Sequence, residues 1–271
     1  MKNIVITALV IIASLIFLMF AKQSDHDLTL MATTTTQDAG ILSHIVDAFE
    51  KDSGLKVKAI AYGTGKVLRS AKDGNVDILL VHDPLNEDIF MKGGFGKERI
   101  SIMQNDFVII GPNSDPATVK MSNSASDAFK KIASKSIFVS RGDGSGTHNA
   151  EKRIWGKIQV DQEKLSPNNY IITGSGMGRT LGIAVEKEAY ALTDRATWLS
   201  YKNKGQLSVL FENDSDLENI YSVISVNPLL FGHISLNAQD IFMKWIKSQE
   251  ARETIQNFQI NAENPYLAIL P

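Results

Sequence analysis

The sequence contains no cysteine among its 271 residues. This absence excludes disulfide bonds, thiolate metal sites, cysteine nucleophiles and attachment of a lipid to an N-terminal cysteine. The five histidines show no spacing that is typical of a metal site. Repeats of fixed period and low-complexity tracts are also missing. We therefore expect a globular protein with no resident metal and no cofactor.

An excess of positive charge is missing as well. The 28 lysines and arginines are outnumbered by 30 aspartates and glutamates, which gives a formal net charge of -2. A broad basic face for nucleic acid is therefore not expected. Hydrophobic residues make up 44% of the chain and charged residues 21%, the balance of a soluble globular protein. Any bound anion must be attracted by local dipoles and one or two cations.

A long apolar run occurs at the N-terminus. After Lys2, residues 4–21 carry no charge, and this length suits either the core of a signal peptide or a short membrane span. Cleavage after Ala21 would place Met19 at a position that prefers a small residue. We therefore interpret residues 1–23 as a signal peptide or an N-terminal membrane anchor. Either alternative predicts export, to the periplasm or to the outer face of the cytoplasmic membrane.

From Leu28 onwards, short apolar strands alternate with amphipathic helices. This alternation predicts an α/β fold with a helix-covered, parallel sheet. A strand at residues 107–110 ends at Gly111 and Pro112, and the same alternation then starts again. We therefore predict a two-lobed clamp whose ligand lies in the cleft between the lobes. A single doubly wound domain is the alternative.

The predicted lobes are not continuous in sequence, because the chain is expected to cross between them twice. Residues 28–109 and 222–271 form the predicted lobe I, and residues 110–221 form the predicted lobe II. The two hinge crossings are expected near residues 108–111 and 219–224. Each lobe is predicted to be a mixed sheet covered by helices.

Three segments rich in Gly, Ser and Thr share one topological position. Residues 33–36, 140–147 and 174–178 each follow a predicted strand and open a predicted helix. The first N–H groups of a helix lack intrahelical partners, and the helix dipole adds partial positive charge at the same end. Each segment alone is explained as a helix cap or a tight turn. Together they predict a cage of neutral donors around one anion.

The best single cation for this site is Arg141, which stands at a strand end before the glycine loop of the second segment. Its guanidinium fork could face an oxyanion, or it could form a salt bridge with Asp143. Asp194 and Arg195 follow another strand end. Such a pair more often braces a loop, so we do not place these two residues in the site.

Enzyme motifs are not matched. Residues 142–148 lack the lysine and the spacing of a nucleotide-binding P-loop, and residues 174–178 have their third glycine too early for a dinucleotide fingerprint. Neither Ser145 nor Ser175 has a glycine two residues before it, so no nucleophile elbow is present. His148 near Ser145 leaves a hydrolase as the less favoured alternative. We predict that the protein is not an enzyme.

An ordered set of motifs resembles the tungstate-binding proteins of bacterial ABC importers. The resemblance extends from about Leu28 to the C-terminus, and its motifs are residues 31–38 (MATTTTQD), 57–65, 76–84 (VDILLVHDP), 105–112 (NDFVIIGP), 138–148 (FVSRGDGSGTH) and 191–195 (ALTDR). It implies a type II periplasmic-binding-protein fold that holds an oxyanion between two lobes. The implied partners are an ABC permease and its ATPase subunit, and a monomer is expected.

The resemblance also implies the binding residues. The family's threonine signature falls on Thr34, Thr35 and Thr36, and its second-lobe signature falls on Arg141, Ser145 and Thr147. The first signature often ends in serine where this chain has Thr36, and the hydroxyl is retained. The implied ligand is tungstate. Charge and shape do not separate it from molybdate, and sulfate- or phosphate-binding relatives are further alternatives.

Overall fold

A computed structural model describes residues 26–162, 165–166 and 168–269. The predicted signal peptide or anchor at residues 1–23 lies outside the described residues. Within the described part, no helix has the length and apolar character that are needed to cross a membrane.

The first third of the chain alternates strands and helices regularly. The elements are β1 (Leu28–Thr33), α1 (Thr34–Asp38), α2 (Ile41–Ser53), β2 (Val57–Tyr62), α3 (Thr64–Lys72), β3 (Ile78–Val81) and α4 (Pro84–Lys92). Gly54 ends α2 in the left-handed conformation, with φ 74°, which glycine adopts without steric cost.

The rest of the chain begins with a long strand and returns to the first sheet near its end. The elements are β4 (Gly96–Pro112), α5 (Ala125–Lys135), β5 (Phe138–Ser140), α6 (Gly146–Lys157), β6 (Tyr170–Ile172), α7 (Met177–Glu186), β7 (Ala191–Asp194), α8 (Arg195–Ser200), β8 (Leu207–Phe211), β9 (Glu218–Val226), α9 (Leu236–Trp245), α10 (Gln249–Gln256) and β10 (Leu267–Ala268). Short 3₁₀ turns occupy Val119–Met121 and Ser215–Leu217.

The sheet order is β10-β4-β9-β3-β1-β2, with β7 and β8 joined to β4. β1 is parallel to β2 and β3, as the alternation of strands and helices predicts. β9 is antiparallel to both β3 and β4, and β10 is antiparallel to β4. The sheet is therefore mixed. A separate parallel pair is formed by β5 and β6.

The long strand β4 belongs to both lobes. Its residues up to Asp106 pair with β9, whereas Phe107 and the residues after it pair with β7 and β8. In the described part of the chain, the buried apolar residues form four clusters. Two clusters lie around β1–β3 and β9, and the other two lie around β5, β7 and α5–α7. The molecule is therefore a two-lobed α/β protein, as predicted.

Candidate functional site

The threonine segment lies at the junction of β1 and α1. Thr33, Thr35 and Thr36 are buried, and Thr34 is half-buried. Thr33 is the N-cap residue, but its side chain makes no capping bond. Its carbonyl accepts a hydrogen bond of 2.6 Å from Thr36 Oγ1, and its hydroxyl lies 3.2 Å from Thr35 Oγ1. The hydroxyls therefore bond mainly within the segment, which leaves the first N–H groups of α1 without a side-chain cap.

The second segment lies between β5 and α6, and Arg141 is its buried cation. Arg141 is only 2% exposed, and its Nη2 donates to Asp143 Oδ2 at 2.6 Å. The Nε and Nη1 atoms of Arg141 and the Oγ1 of Thr147 are buried and have no hydrogen-bond partner among the described residues. A buried donor without a partner is costly. These three atoms are therefore suited to acceptor oxygens of a ligand.

Asp143 holds this loop together. Its Oδ1 accepts from the N–H of Ser145 at 3.1 Å, while its Oδ2 accepts from Arg141. Burial acts to raise the pKa of Asp143, but the Arg141 guanidinium and the hydrogen bonds from Ser145 hold it below its usual value. Asp143 is therefore ionised at neutral pH, and it compensates part of the charge on Arg141.

The helix after this loop is capped by Ser145, whose Oγ accepts from the backbone N–H of His148 at 3.3 Å. The His148 ring accepts at Nδ1 from the N–H of Gly144 at 2.9 Å. The ring nitrogen of His148 is thus directed to the loop backbone and not to the Ser145 hydroxyl. This geometry does not support a Ser–His nucleophile and base.

The two lobes touch around His82, which directly follows β3. The N–H of Gly146 in α6 donates to Thr64 Oγ1 of the other lobe at 3.2 Å. A Cβ at Gly146 would lie 2.9 Å from His82 Cε1 and 3.0 Å from its carbonyl oxygen. Nearby, Asn149 Nδ2 donates to Asp83 Oδ2 at 2.6 Å. The described conformation is therefore a closed one, in which α6 begins against the first lobe.

His82 also contacts the threonine segment, because its Nε2 lies 3.2 Å from Thr35 Oγ1. The structure thus places Thr35 and Gly146 against the same imidazole ring. Burial raises the pKa of Asp38, at the end of α1, and is the largest influence on it. The charge of Arg141 acts in the opposite direction and lowers this pKa. The two predicted segments therefore face each other across the cleft.

The third segment, residues 174–178, lies beside the Arg141 loop. Thr173 Oγ1 donates to the carbonyl of Arg141 at 3.2 Å, and Ser175 bonds back to Thr173. A Cβ at Gly142, which has φ 62°, would meet Ile172 Cγ2 at 2.2 Å. Ser175 is therefore linked to the second segment through Thr173, which directly precedes the third segment.

Asp194 and Arg195 serve as structural braces, and their exclusion from the site stays a prediction. Asp194 caps α8 by accepting from the N–H and the hydroxyl of Thr197 at 2.9 and 2.6 Å. Arg195 forms a fork with Asp106, with bonds of 2.6 and 2.5 Å, and also bonds Glu212 at 2.5 Å. Within the described residues, no group of three or more His, Asp or Glu side chains is arranged to hold a metal ion.

Sequence reasoning did not assign a role to Thr64, His82, Asp83 or Asn149. The signal that could have found the first three is their position, because Thr64 opens the helix after β2, and His82 and Asp83 directly follow β3. These are the same strand-end positions that the threonine segment and Arg141 occupy. Ligand contacts in open α/β sheets concentrate at such positions.

Comparison with known proteins decides the family. A family model described as a PBP superfamily domain matches residues 21–248. The chain belongs to the PBP superfamily. The predicted resemblance, the fold class and the prediction of a binding protein rather than an enzyme are confirmed by this match and by the relatives below.

Several relatives have informative names. The tungstate-binding protein TupA of Peptoclostridium acidaminophilum is 38% identical over 239 residues, which cover 87% of this chain and 82% of the relative. A solved tungstate-binding protein TupA from Desulfovibrio alaskensis is 40% identical with a TM-score of 0.79, covering 90% of this chain and 99% of that one. A solved tungstate ABC transporter protein from Geobacter sulfurreducens is 40% identical with a TM-score of 0.76, covering 85% and 98%.

Proposed function

We propose that this protein captures tungstate outside the cytoplasmic membrane and delivers it to an ABC-type importer. The observation that carries the proposal is the set of buried donors without partners at the cleft, namely Nε and Nη1 of Arg141 and Oγ1 of Thr147. The names of relatives at 38–40% identity support tungstate as the ligand.

The chemistry of tungstate matches such donors. At neutral pH the anion carries two negative charges on four acceptor oxygens, and it has no proton to donate. Each charge-assisted hydrogen bond contributes about 1.5–3 kcal/mol. About six of them, reduced by the costs of ordering and desolvation, supply the roughly 12 kcal/mol that nanomolar binding requires. The proposed ligand set is Thr34, Thr35, Thr36, Arg141, Ser145 and Thr147, in which Thr35 and Thr36 donate through backbone N–H because their hydroxyls bond His82 and the Thr33 carbonyl.

Anions that carry a proton fit the site less well. Hydrogen phosphate gains from a carboxylate that can accept its proton. Both oxygens of Asp143 already accept, from Ser145 and Arg141, and both oxygens of Asp194 accept from Thr197. The carboxylates of Asp143 and Asp194 are therefore engaged within the protein, which favours a fully deprotonated tetrahedral dianion over phosphate.

The remaining parts of the proposal concern the protein's surroundings. Export through residues 1–23, as a signal peptide or an anchor, places the protein in the periplasm or on the outer face of the membrane. A permease and an ATPase are the proposed partners of a monomeric binding protein. The lobe boundaries at residues 109/110 and 221/222 stay a prediction. Closure of the lobes presents one combined surface to the permease.

Replacing Arg141 tests the site directly. We expect Arg141→Ala to weaken tungstate binding at least 100-fold in titration calorimetry, because a buried, charge-assisted bidentate donor contributes about 3 kcal/mol or more. Thr33→Ala should cost much less, because the Thr33 hydroxyl bonds Thr35 within the segment.

The matched control for loss of charge is Arg153→Ala, because Arg153 is an exposed arginine on α6. This variant should bind tungstate like the unmodified protein. Equal, small losses in Arg141→Ala and Arg153→Ala would remove Arg141 from the site.

A thermal-shift panel tests the ligand class. Tungstate and molybdate should raise the melting temperature strongly, and sulfate and phosphate weakly, because ligand binding to the native state stabilises it. A melting temperature that none of the four anions changes would contradict the proposed function.

A further inference from the structure

Hydrogen bonds connect the two hinge strands to the threonine segment. Asn105 of β4 and Asn219 of β9 are opposite each other in register, and Asn219 Nδ2 donates to Asn105 Oδ1 at 2.7 Å and to Tyr221 Oη at 3.0 Å. Asn219 Oδ1 lies 2.8 Å from His82 Nδ1. His82 Nε2 lies 3.2 Å from Thr35 Oγ1. We refer to Asn105, Asn219, His82 and Thr35 as the hinge relay.

The relay is shielded from water and held in place. Its four members are at most 8% exposed. The His82 ring stacks on Tyr221 with a centroid distance of 4.6 Å and an interplanar angle of 17°. Because Tyr221 also accepts from Asn219, the ring of His82 and the amide of Asn219 are fixed by the same neighbour. Rotation of either side chain would break several contacts at once.

The bonding pattern determines which atom carries each proton. Both hydrogens of Asn219 Nδ2 are used by Asn105 and Tyr221, so the Oδ1 of Asn219 is the atom that faces His82. The hydrogen of this contact must then be on His82 Nδ1. The unprotonated Nε2 is left to accept the hydroxyl hydrogen of Thr35.

The electrostatic surroundings agree with an uncharged ring. Burial lowers the pKa of His82, and the charge of Arg141 lowers it further. The hydrogen bond to Asn219 and the charges of Asp194 and Asp83 act in the opposite direction. His82 therefore stays uncharged at neutral pH, and the hydroxyl of Thr35 keeps one direction.

The position of the relay connects hinge geometry to the site. Asn105 stands one residue before Asp106, after which β4 changes its strand partners, and Asn219 stands near the start of β9, where the chain returns to the first sheet. At the other end, the His82 ring contacts Thr35 and also faces Gly146 of the second lobe.

We propose that Asn219 and His82 are positioning residues for the anion site, because the hinge relay ties the Thr35 side chain to both hinge strands and so fixes the start of α1, whose first N–H groups have no side-chain cap. This inference rests on the proposed function, since it concerns the same site. Loss of the Asn219 acceptor leaves His82 Nδ1 without its partner, so the ring and the Thr35 side chain that it holds can shift, which displaces the N–H groups at the start of α1.

The first test is spectroscopic and needs no ligand. In protein labelled with ¹⁵N-histidine, His82 should show a protonated Nδ1 and an unprotonated Nε2 at neutral pH. The signal is assigned among the five histidines by its absence in His82→Gln. A His82 that is protonated at Nε2 in the unmodified protein would overturn the relay.

The second test compares three asparagine variants by titration with tungstate. Asn219→Leu should lose the Nδ1–H signature and weaken binding on the order of tenfold, as expected for loss of one buried positioning bond. Asn219→Asp should keep that signature and bind within about threefold, since a carboxylate still accepts from His82. The Nδ2 of Asn105, which has no partner among the described residues, can turn to donate to this carboxylate.

The matched control is Asn227→Leu. Asn227 also bonds on both sides, donating to the Gly94 carbonyl at 2.9 Å and accepting from the N–H of Leu229 at 3.1 Å, but it lies outside the relay. It should bind tungstate unchanged. Tight binding by Asn219→Leu after loss of the signature would refute the positioning role. If the unmodified protein binds no tungstate, the proposed function fails, and the NMR result alone decides whether the relay exists.

Discussion

Gly146→Ala should prevent full closure of the lobes without harming either lobe. The added Cβ would lie 2.9 Å from His82 Cε1 and 3.0 Å from the His82 carbonyl oxygen, where ordinary contacts begin at 3.4 Å. The backbone of Gly146 is not in the left-handed region, so alanine meets no strain within α6 itself. The clash therefore exists only when the second lobe rests against the first.

The expected loss follows from the cost of overpacking. Inserting one methyl group against backbone and a fixed ring costs about 1–3 kcal/mol, which corresponds to a loss of affinity of about 5- to 150-fold. The hydrogen bond from Gly146 N to Thr64 Oγ1, at 3.2 Å, would be stretched as the lobes move apart. The melting temperature without ligand should be unchanged or slightly higher, because alanine favours a helix.

The control is Gly156→Ala in the same helix, where a Cβ would meet nothing within 4 Å. Tungstate titration should show full affinity for this variant and reduced affinity for Gly146→Ala. Small-angle scattering should show that the radius of gyration of Gly146→Ala shrinks only at higher tungstate concentration. Equal affinities of the two variants would refute the claim that the described contact forms in the bound state.

Two predictions concern stability. Burial raises the pKa of Glu151 to about 7, although hydrogen bonds from Tyr170, Ser140 and Trp155 act to lower it. The protonated side chain therefore stabilises the folded state fully below pH 4.5, and this stabilisation is lost as pH rises through 7. Glu151→Gln mimics the protonated form. Denaturant titrations should show that this variant lacks a fall in the free energy of unfolding, on the order of 3 kcal/mol, that the unmodified protein shows as pH rises. An unchanged pH profile in the variant would contradict the raised pKa of Glu151. Arg195→Met should lower the free energy of unfolding by about 1–2 kcal/mol by leaving Asp106 and Glu212 unpaired, whereas Lys247→Met, from an exposed pair with Glu98, should cost below about 0.5 kcal/mol. Equal costs in both variants would count against the brace.

Local pattern was sufficient for the strands and helices of the first lobe. In the sequence, one apolar helix face formed by Ile41, Leu42, Ile45, Val46 and Phe49 predicts a helix that stops at Gly54, and this helix is α2. The run at residues 76–81 predicts a buried strand, and it contains β3. The predicted strand at residues 107–110 is only the end of β4, which begins at Gly96. Its first half alternates exposed and buried residues and includes charged side chains, so it lacks the continuous apolar run of a buried strand. β8 gave no sequence signal that was recognised.

The predicted site residues were carried over from the motifs of the family resemblance, and they also agree with a rule about position. Thr34, Thr35, Thr36, Arg141, Ser145 and Thr147 follow strand ends, and the same rule applied to β2 and β3 would have pointed to Thr64 and His82. Sequence alone also left open whether Arg141 faces a ligand or Asp143. The structure shows that these are not exclusive, because Nη2 bonds Asp143 while Nε and Nη1 have no partner among the described residues.

The hinge relay could not be predicted from local pattern because its four members come from four separate parts of the chain. Asn105 and Asn219 are 114 positions apart, and His82 and Asn219 are 137 positions apart. Only the antiparallel register of β4 and β9 brings the two asparagines together. A buried polar side chain in a hinge strand costs stability unless it is satisfied. Such a side chain is therefore a reason to look for a partner at the ligand site, and in this protein the partner is His82.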